Sequence, residues 1–327
     1  MTLALCLLLA LAGDEKRPAD VVCPLDGRKF AAFEITATND WGGRDADGCT
    51  HAFKTTPLEF YVWVCPSCGF AGTKKEFEAG LADEEKPALK AGLVPMEKIA
   101  RDARQDQIPG HVKYDLLAQV AAIRKAPPEI IGRAYRYASW SCRQQGATAL
   151  GDFDEWDALR ESYGLTRLPL NPRGAGNRTE FDLEVARKIE KDIDAKKPSG
   201  VNRILSRYLA ACLYRKHGEN GEAERWLAEV AKMKGEYSNV DDAAARMAAS
   251  IPLERAFQMK ARGAYQTAYD AGRLDQKLAP EVAFLIGELA RRTGDFKAAS
   301  EWLQKALDTA ESAPLKDLIS KQRARLP

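Results

Sequence analysis

Histidine is scarce in this chain of 327 residues, which has only three, and methionine nearly so at five. No H-E-x-x-H, G-x-S-x-G or P-loop string occurs, so zinc-peptidase, serine-hydrolase and phosphate-loop chemistries lack the residue patterns they need. Charge of one sign is missing too: 49 Lys+Arg against 47 Asp+Glu leave a net +2. That balance gives no basic field for nucleic acid and no acidic one for cationic partners. Long apolar runs are absent apart from Leu3 to Ala12, which is about half of the ~20 residues a bilayer span takes. A multi-span membrane protein is thereby excluded. What is present, 45% apolar and 29% charged residues, excludes a disordered or collagen-like chain. The length permits roughly two packing units. Alanine, leucine, arginine, lysine and glutamate crowd the chain after about residue 85, a composition that predicts packed helices.

The apolar run reads as the core of an export signal. Ala10-Leu11-Ala12 satisfies the small-x-small rule, so cleavage is expected before Gly13,. The expected location is periplasmic or secreted, with no membrane span after cleavage, and cytoplasmic if the run is not a signal. Cys6 lies inside the run and follows Leu5, the wrong context for a lipid-modified cysteine.

Six cysteines then remain, and four have informative spacing. V-C-P-L-D-G at Val22 to Gly27 and V-C-P-S-C-G at Val64 to Gly69 are near copies. In a metal knuckle such a string forms a tight turn: proline pre-sets φ, and the trailing glycine takes positive φ so that backbone N–H groups point at the thiolate. Two facing knuckles complete a tetrahedral zinc site. The first is degenerate, because Asp26 stands where the second thiolate belongs. Cys49 and His51 lie between the knuckles and are softer donors, so the expected ligand set is Cys23, Cys49, Cys65 and Cys68, with Asp26 and His51 as substitutes for the fourth position. Leu58 to Val64 is aromatic and β-branched and is expected to be the strand that delivers the second knuckle, with Phe33 to Thr38 as its candidate partner. Two other readings stay open: structural disulfides, and a redox pair at Cys65-Pro66-Ser67-Cys68.

Farther on, Pro87 to Pro95 and Ile108-Pro109-Gly110 read as connectors, Tyr114 to Lys125 and Glu129 to Gln145 as helices, and Leu165 to Thr179 as a linker. Asn177-Arg178-Thr179 is a glycosylation sequon by pattern alone. From Glu281 the chain follows the tetratricopeptide pattern without a gap: Ile286-Gly287, Ala290, the Gly294-Asp295 turn, then Ala299, Leu303 and Ala306,. Gly287 and Ala290 are small where two helices must cross closely. Arg207 to Val230 repeats the scheme more weakly around Gly218-Glu219. The segment Asp241 to Gly272 between the copies does not fit the period and is expected to hold irregular helices, with Phe181 to Lys196 and Leu315 to Arg325 capping the array.

The paired C-P-x-[CD]-G strings, the D-A-D-G-C-T-H between them and the late L-I-G-E-L-A-R-R-T-G-D-F-K-A-A-S-E-W-L together resemble the bacterial DUF2225 family. The resemblance implies a zinc-ribbon-like head joined to tetratricopeptide-like helices, with no established activity. Asp26 departs from it, since a cysteine is usual there, and so does the export signal. The expected fold is mainly α: a signal at 1–12, a β head at 13–84, a helical connector at 85–164, a linker at 165–179 and helical repeats at 180–327. The expected function is non-enzymatic, with zinc stabilising the head and a helical groove binding a protein or peptide. By analogy with tetratricopeptide grooves, Tyr208 and Arg215 in one repeat and Phe284, Glu288 and Arg291 in the other face inward, the arginines toward a carboxylate. The bland alternative is that both arginines are solvated surface cations. A periplasmic thiol–disulfide enzyme with Cys65 as nucleophile is the second hypothesis.

Overall fold

The structure is a computed structural model and describes residues 16–40, 42–52, 57–93, 104–146, 154–165 and 178–327. The expected signal segment, the Asn177 sequon and most of the expected linker lie outside these residues.

The head consists of two small antiparallel hairpins. Strand β1 (Lys16–Val22) pairs with β2 (Lys29–Ile35) in the register Val22 to Lys29 through Lys16 to Ile35. Pro18 is tolerated because a two-stranded sheet consists of edges. Strand β3 (Trp63–Val64) pairs with β4 (Ala71–Gly72). The long strand expected over Leu58 to Val64 does not form. Pro57–Phe60 is instead a single 3-10 turn, because side chains of the next helical layer take its carbonyls: Tyr114 Oη donates to Leu58 O at 2.8 Å and Lys113 Nζ to Glu59 O at 2.7 Å. With those carbonyls taken, β2 pairs with β1 rather than with this segment.

Twelve α-helices follow among the described residues: α1 (Lys74–Ala79), α2 (Lys86–Gly92), α3 (Gly110–Ile123), α4 (Pro128–Gly146), α5 (Asp154–Ser162), α6 (Arg178–Asp194), α7 (Asn202–Lys216), α8 (Asn220–Ala231), α9 (Ser238–Asp270), α10 (Leu278–Arg292), α11 (Phe296–Thr309) and α12 (Ala313–Arg323). Helix α2 occupies part of an expected connector, with Pro87 in its first turn, where a missing N–H costs nothing,. Pairs α7/α8 and α10/α11 form hairpins whose turns use Gly218 and Gly294 at φ 71° and 83°. In the second hairpin the close crossing is as expected. A Cβ on Gly287 would lie 2.8 Å from Leu303 Cγ and 3.0 Å from the Leu303 backbone nitrogen.

The region expected to hold irregular helices is one continuous helix, α9, of 33 residues with Pro252 inside it. At ~1.5 Å per residue it runs about 50 Å. Its sequence looks irregular because its faces serve different neighbours. Val240 to Ile251 join a core with α5 to α8, Phe257 reaches the core that the head shares with α3 and α4, and Ala261 and Tyr265 pack on α10. The head's apolar core is therefore continuous with the helices: Val21, Val64, Phe70 and Phe77 belong to the same cluster as Leu89, Tyr114, Leu116 and Trp140. No helix among the described residues is long and apolar enough to cross a membrane.

Candidate metal centre

The two C-P-x-x-G strings fold into two copies of one turn. In the β1–β2 hairpin, Cys23 N–H donates to Arg28 O (2.8 Å) and Gly27 N–H to Cys23 O (2.9 Å). In the β3–β4 hairpin, Cys65 N–H donates to Phe70 O (2.8 Å) and Gly69 N–H to Cys65 O (3.1 Å). Gly27 and Gly69 adopt φ of 76° and 75°, a conformation that costs glycine nothing. In the first turn Leu25 N–H also points at Cys23 Sγ, 3.4 Å away.

The hairpins face each other and bring together Cys23, Asp26, Cys65 and Cys68, whose donor atoms all lie within 4.8 Å of one another. Cys23 Sγ is 3.6 Å from Cys68 Sγ, and Cys65 Sγ is 3.6 Å from both carboxylate oxygens of Asp26. A disulfide needs about 2.05 Å between sulfurs, and all six described cysteines are free. Tetrahedral zinc with metal–sulfur bonds of ~2.3 Å and metal–oxygen bonds of ~2.1 Å spaces its donors by about 3.8 Å for sulfur pairs and about 3.6 Å for sulfur and oxygen. The donor set suits zinc in number, softness and spacing. Among the four groups charge concentrates on Cys65: hydrogen bonds from Cys23 and then Cys68 draw its thiol down to about 4, while the same contact pushes Cys23 up to about 12. Burial works against the charge of Asp26, but Arg28 N–H, which donates to Oδ1 at 3.0 Å, and the neighbouring thiols hold its carboxyl below its ordinary range.

Of the expected ligands, Cys23, Cys65 and Cys68 meet, the substitute Asp26 takes the fourth corner, and Cys49 and His51 do not join them. The reason is the path of the loop between the hairpins. A bridge between Arg44 and Thr50 and a hydrogen bond from Asp45 N–H to Cys49 O (2.8 Å) fold it back on itself. Cys49 is thereby turned inward to Gln144 of α4, which donates to its Sγ at 3.5 Å. Burial raises that thiol well above its usual value. His51 is carried to Asp45, with Nε2 2.9 Å from Oδ2.

The expected groove residues also lie elsewhere than expected. Tyr208, Arg215, Phe284, Glu288 and Arg291 are all buried, so they line no open groove. Arg215 pairs with Glu254 of α9 and donates to Asn220 Oδ1 and Cys142 O. Glu288 accepts from Arg291 Nε (2.9 Å) and Arg292 Nε (2.6 Å), while Tyr208 and Phe284 pack in the apolar cores on either side. Arg143 of α4 is the hub of this buried polar network. It donates to Asp45 Oδ2 (2.8 Å), Asp47 Oδ2 (2.7 Å) and Glu254 Oε1 (2.8 Å). Sequence reading missed this network; its head residues lie in the D-A-D-G-C-T-H string, which was noted only for the family resemblance.

Fold and site together define a head of two facing cysteine turns, able to hold a metal ion, built onto an array of helical hairpins. The chain belongs to the family described as an uncharacterized protein conserved in bacteria (DUF2225), matched over residues 18–251 and 248–326. No curated protein and no solved structure matches it.

Proposed function

We propose that the protein is a non-enzymatic interaction module whose head is pinned by zinc. The observation that carries this reading is the convergence of Cys23, Asp26, Cys65 and Cys68 from two turns of the same build. Four such donors fill a tetrahedral shell and leave no position for a substrate water, the mark of a structural rather than a catalytic site. Zinc, when bound, supplies folding free energy by tying the two hairpins of the head to each other. Arg28 N–H orients the carboxylate, and Leu25 N–H offsets charge on Cys23. The partner is a protein segment with apolar side chains. The open cleft of about 860 Å³ between the head, α3 and α4, floored by Phe33, Phe60, Tyr61 and Tyr137, replaces the groove first expected. The apolar run at Leu3 to Ala12 assigns the protein to the periplasm or exterior, and a mature chain beginning at Gly13 is the expected product.

The thiol–disulfide reading has against it that Cys65, its nucleophile, is fully buried among Cys23, Cys68 and Asp26. Elemental analysis of wild-type protein and Cys65→Ser decides between them. Loss of one zinc per chain in the variant supports the proposal. Equal metal content, together with insulin-reducing turnover that the variant loses, overturns it. A photoreactive residue replacing the exposed Tyr61 is expected to cross-link a protein partner, and competition by an apolar peptide is expected to abolish the adduct.

A further inference from the structure

Asp45, His51 and His217 form a second cluster, made of residues that the cysteine site does not use. Their donor atoms also lie within 4.8 Å of one another, and all three side chains are buried. Asp45 and His51 come from the folded-back head loop, while His217 ends α7. Both imidazoles aim at one carboxylate: His51 Nε2 lies 2.9 Å from Asp45 Oδ2, and His217 Nδ1 lies 2.7 Å from Asp45 Oδ1. The far nitrogen of His217, Nε2, is 3.0 Å from Asp182 Oδ2. Asp182 accepts there and also takes Lys216 Nζ at 2.7 Å.

Either neutral tautomer of His217 leaves one ring nitrogen as an acceptor facing a carboxylate oxygen,. With Nε2–H given to Asp182, Nδ1 of the neutral ring is an acceptor, and it faces Asp45 Oδ1, another acceptor, at hydrogen-bond distance. Two lone pairs at that separation repel unless a positive species lies between them. Arg143 Nη1 already donates to the other oxygen, Oδ2, so Oδ1 still needs a partner. A proton on His217 meets that need for one imidazole. A metal ion meets it as well, and the convergence of His51 from the opposite side of the same carboxylate favours the ion. A carboxylate behind a metal-binding histidine, as Asp182 stands behind His217, is the usual support for such a ligand.

We propose that Asp45, His51 and His217 hold a second metal ion, a first-row divalent cation of the kind that imidazole and carboxylate donors select, which cross-links the head loop to the α7–α8 turn. Bonds of about 2.0–2.2 Å in tetrahedral geometry space neighbouring donors by about 3.3–3.6 Å, so donor pairs now 2.7 and 2.9 Å apart part by roughly 0.4–0.9 Å on loading,. Burial makes this a structural cross-link formed as the chain folds.

Cobalt titration of the reduced, metal-free full chain tests the inference, because the two sites differ in donor chemistry. Cobalt among thiolates gives an intense sulfur-to-metal charge-transfer band, and cobalt among nitrogen and oxygen donors gives only weak d–d absorption. Wild type is expected to take two ions per chain, one of each type. His51→Gln is expected to lose the weakly absorbing ion and keep the thiolate band, and His217→Gln to do the same. Cys65→Ser is expected to lose the band and keep the other ion. Circular dichroism verifies folding, and His51→Gln carries the test if His217→Gln does not fold. One ion in wild type with its thiolate band intact in both histidine variants overturns the inference, leaving the histidines to hold a proton. One ion, without the band and lost in His51→Gln, sustains it while the cysteine site fails.

Discussion

At the scale of single residues the molecule is governed by space and by burial. Gly287 has no room for a methyl group beside Leu303, whose backbone is part of the obstruction. Gly287→Ala is therefore expected to lower stability by about 1–3 kcal/mol, read as a drop in thermal midpoint. This contact was legible in the sequence, since a small residue at a fixed offset from a turn glycine is a local pattern. Lys113 is governed by burial instead. Its ammonium is enclosed between Glu59 O and the Phe60 ring, and desolvation, opposed by Glu59 and Asp106, brings its pKa down to about 8. The unfolded chain keeps that proton to about 10.4. Between these values the unfolded state binds more protons, so stability rises with pH. The contribution of Lys113 is expected to be about 3 kcal/mol, read as the difference in denaturant midpoints between wild type and Lys113→Met from pH 7 to 10.5, because the buried thiols of Cys142 and Cys212, pushed up to about 12, act in the opposite sense over the same window,.

At the scale of elements the hairpins and helices follow from local rules, and there the sequence was a good guide. Both knuckles could be read because each is a turn of six residues whose glycine and proline act only on their neighbours. The fourth donor could not be read that way. Softness favoured Cys49 over Asp26, but the choice was made by the loop, whose Arg44–Thr50 bridge turns Cys49 toward α4. A carboxylate is a harder donor than a thiolate, so Asp26→Cys is expected to tighten zinc binding and Asp26→Ala to weaken it, measured by competition with a chromophoric chelator. Helix α9 was misjudged for a related reason. Periodicity reports one buried face, whereas α9 buries different faces along its length, and Pro252 adds a false stop signal.

At the scale of the whole molecule the decisive contacts join residues about a hundred positions apart, which no local pattern contains. Arg143 binds Asp45 and Asp47 from the head and Glu254 from α9. Glu254 also takes Arg215, Asn220 and Gln258. Four elements thus meet at one carboxylate that has no access to water. Removing its charge leaves Arg215 without a carboxylate partner while Arg143 keeps Asp45 and Asp47, and a buried pair broken in this way costs about 3–5 kcal/mol. Glu254→Gln keeps the shape and removes the charge, so the loss it causes measures electrostatics rather than a cavity. Glu224→Gln is the matched comparison. It makes the same chemical change in a bidentate pair with Arg255 at 2.7 Å to each oxygen, but at a site open to solvent, where about 1 kcal/mol or less is at stake. Thermal melts of both variants, followed by Trp fluorescence for tertiary packing and far-ultraviolet circular dichroism for the helices, are expected to show a large drop in both midpoints for Glu254→Gln and little change for Glu224→Gln. Equal, small effects in the two would mean that the buried network does not hold the head and the helices together.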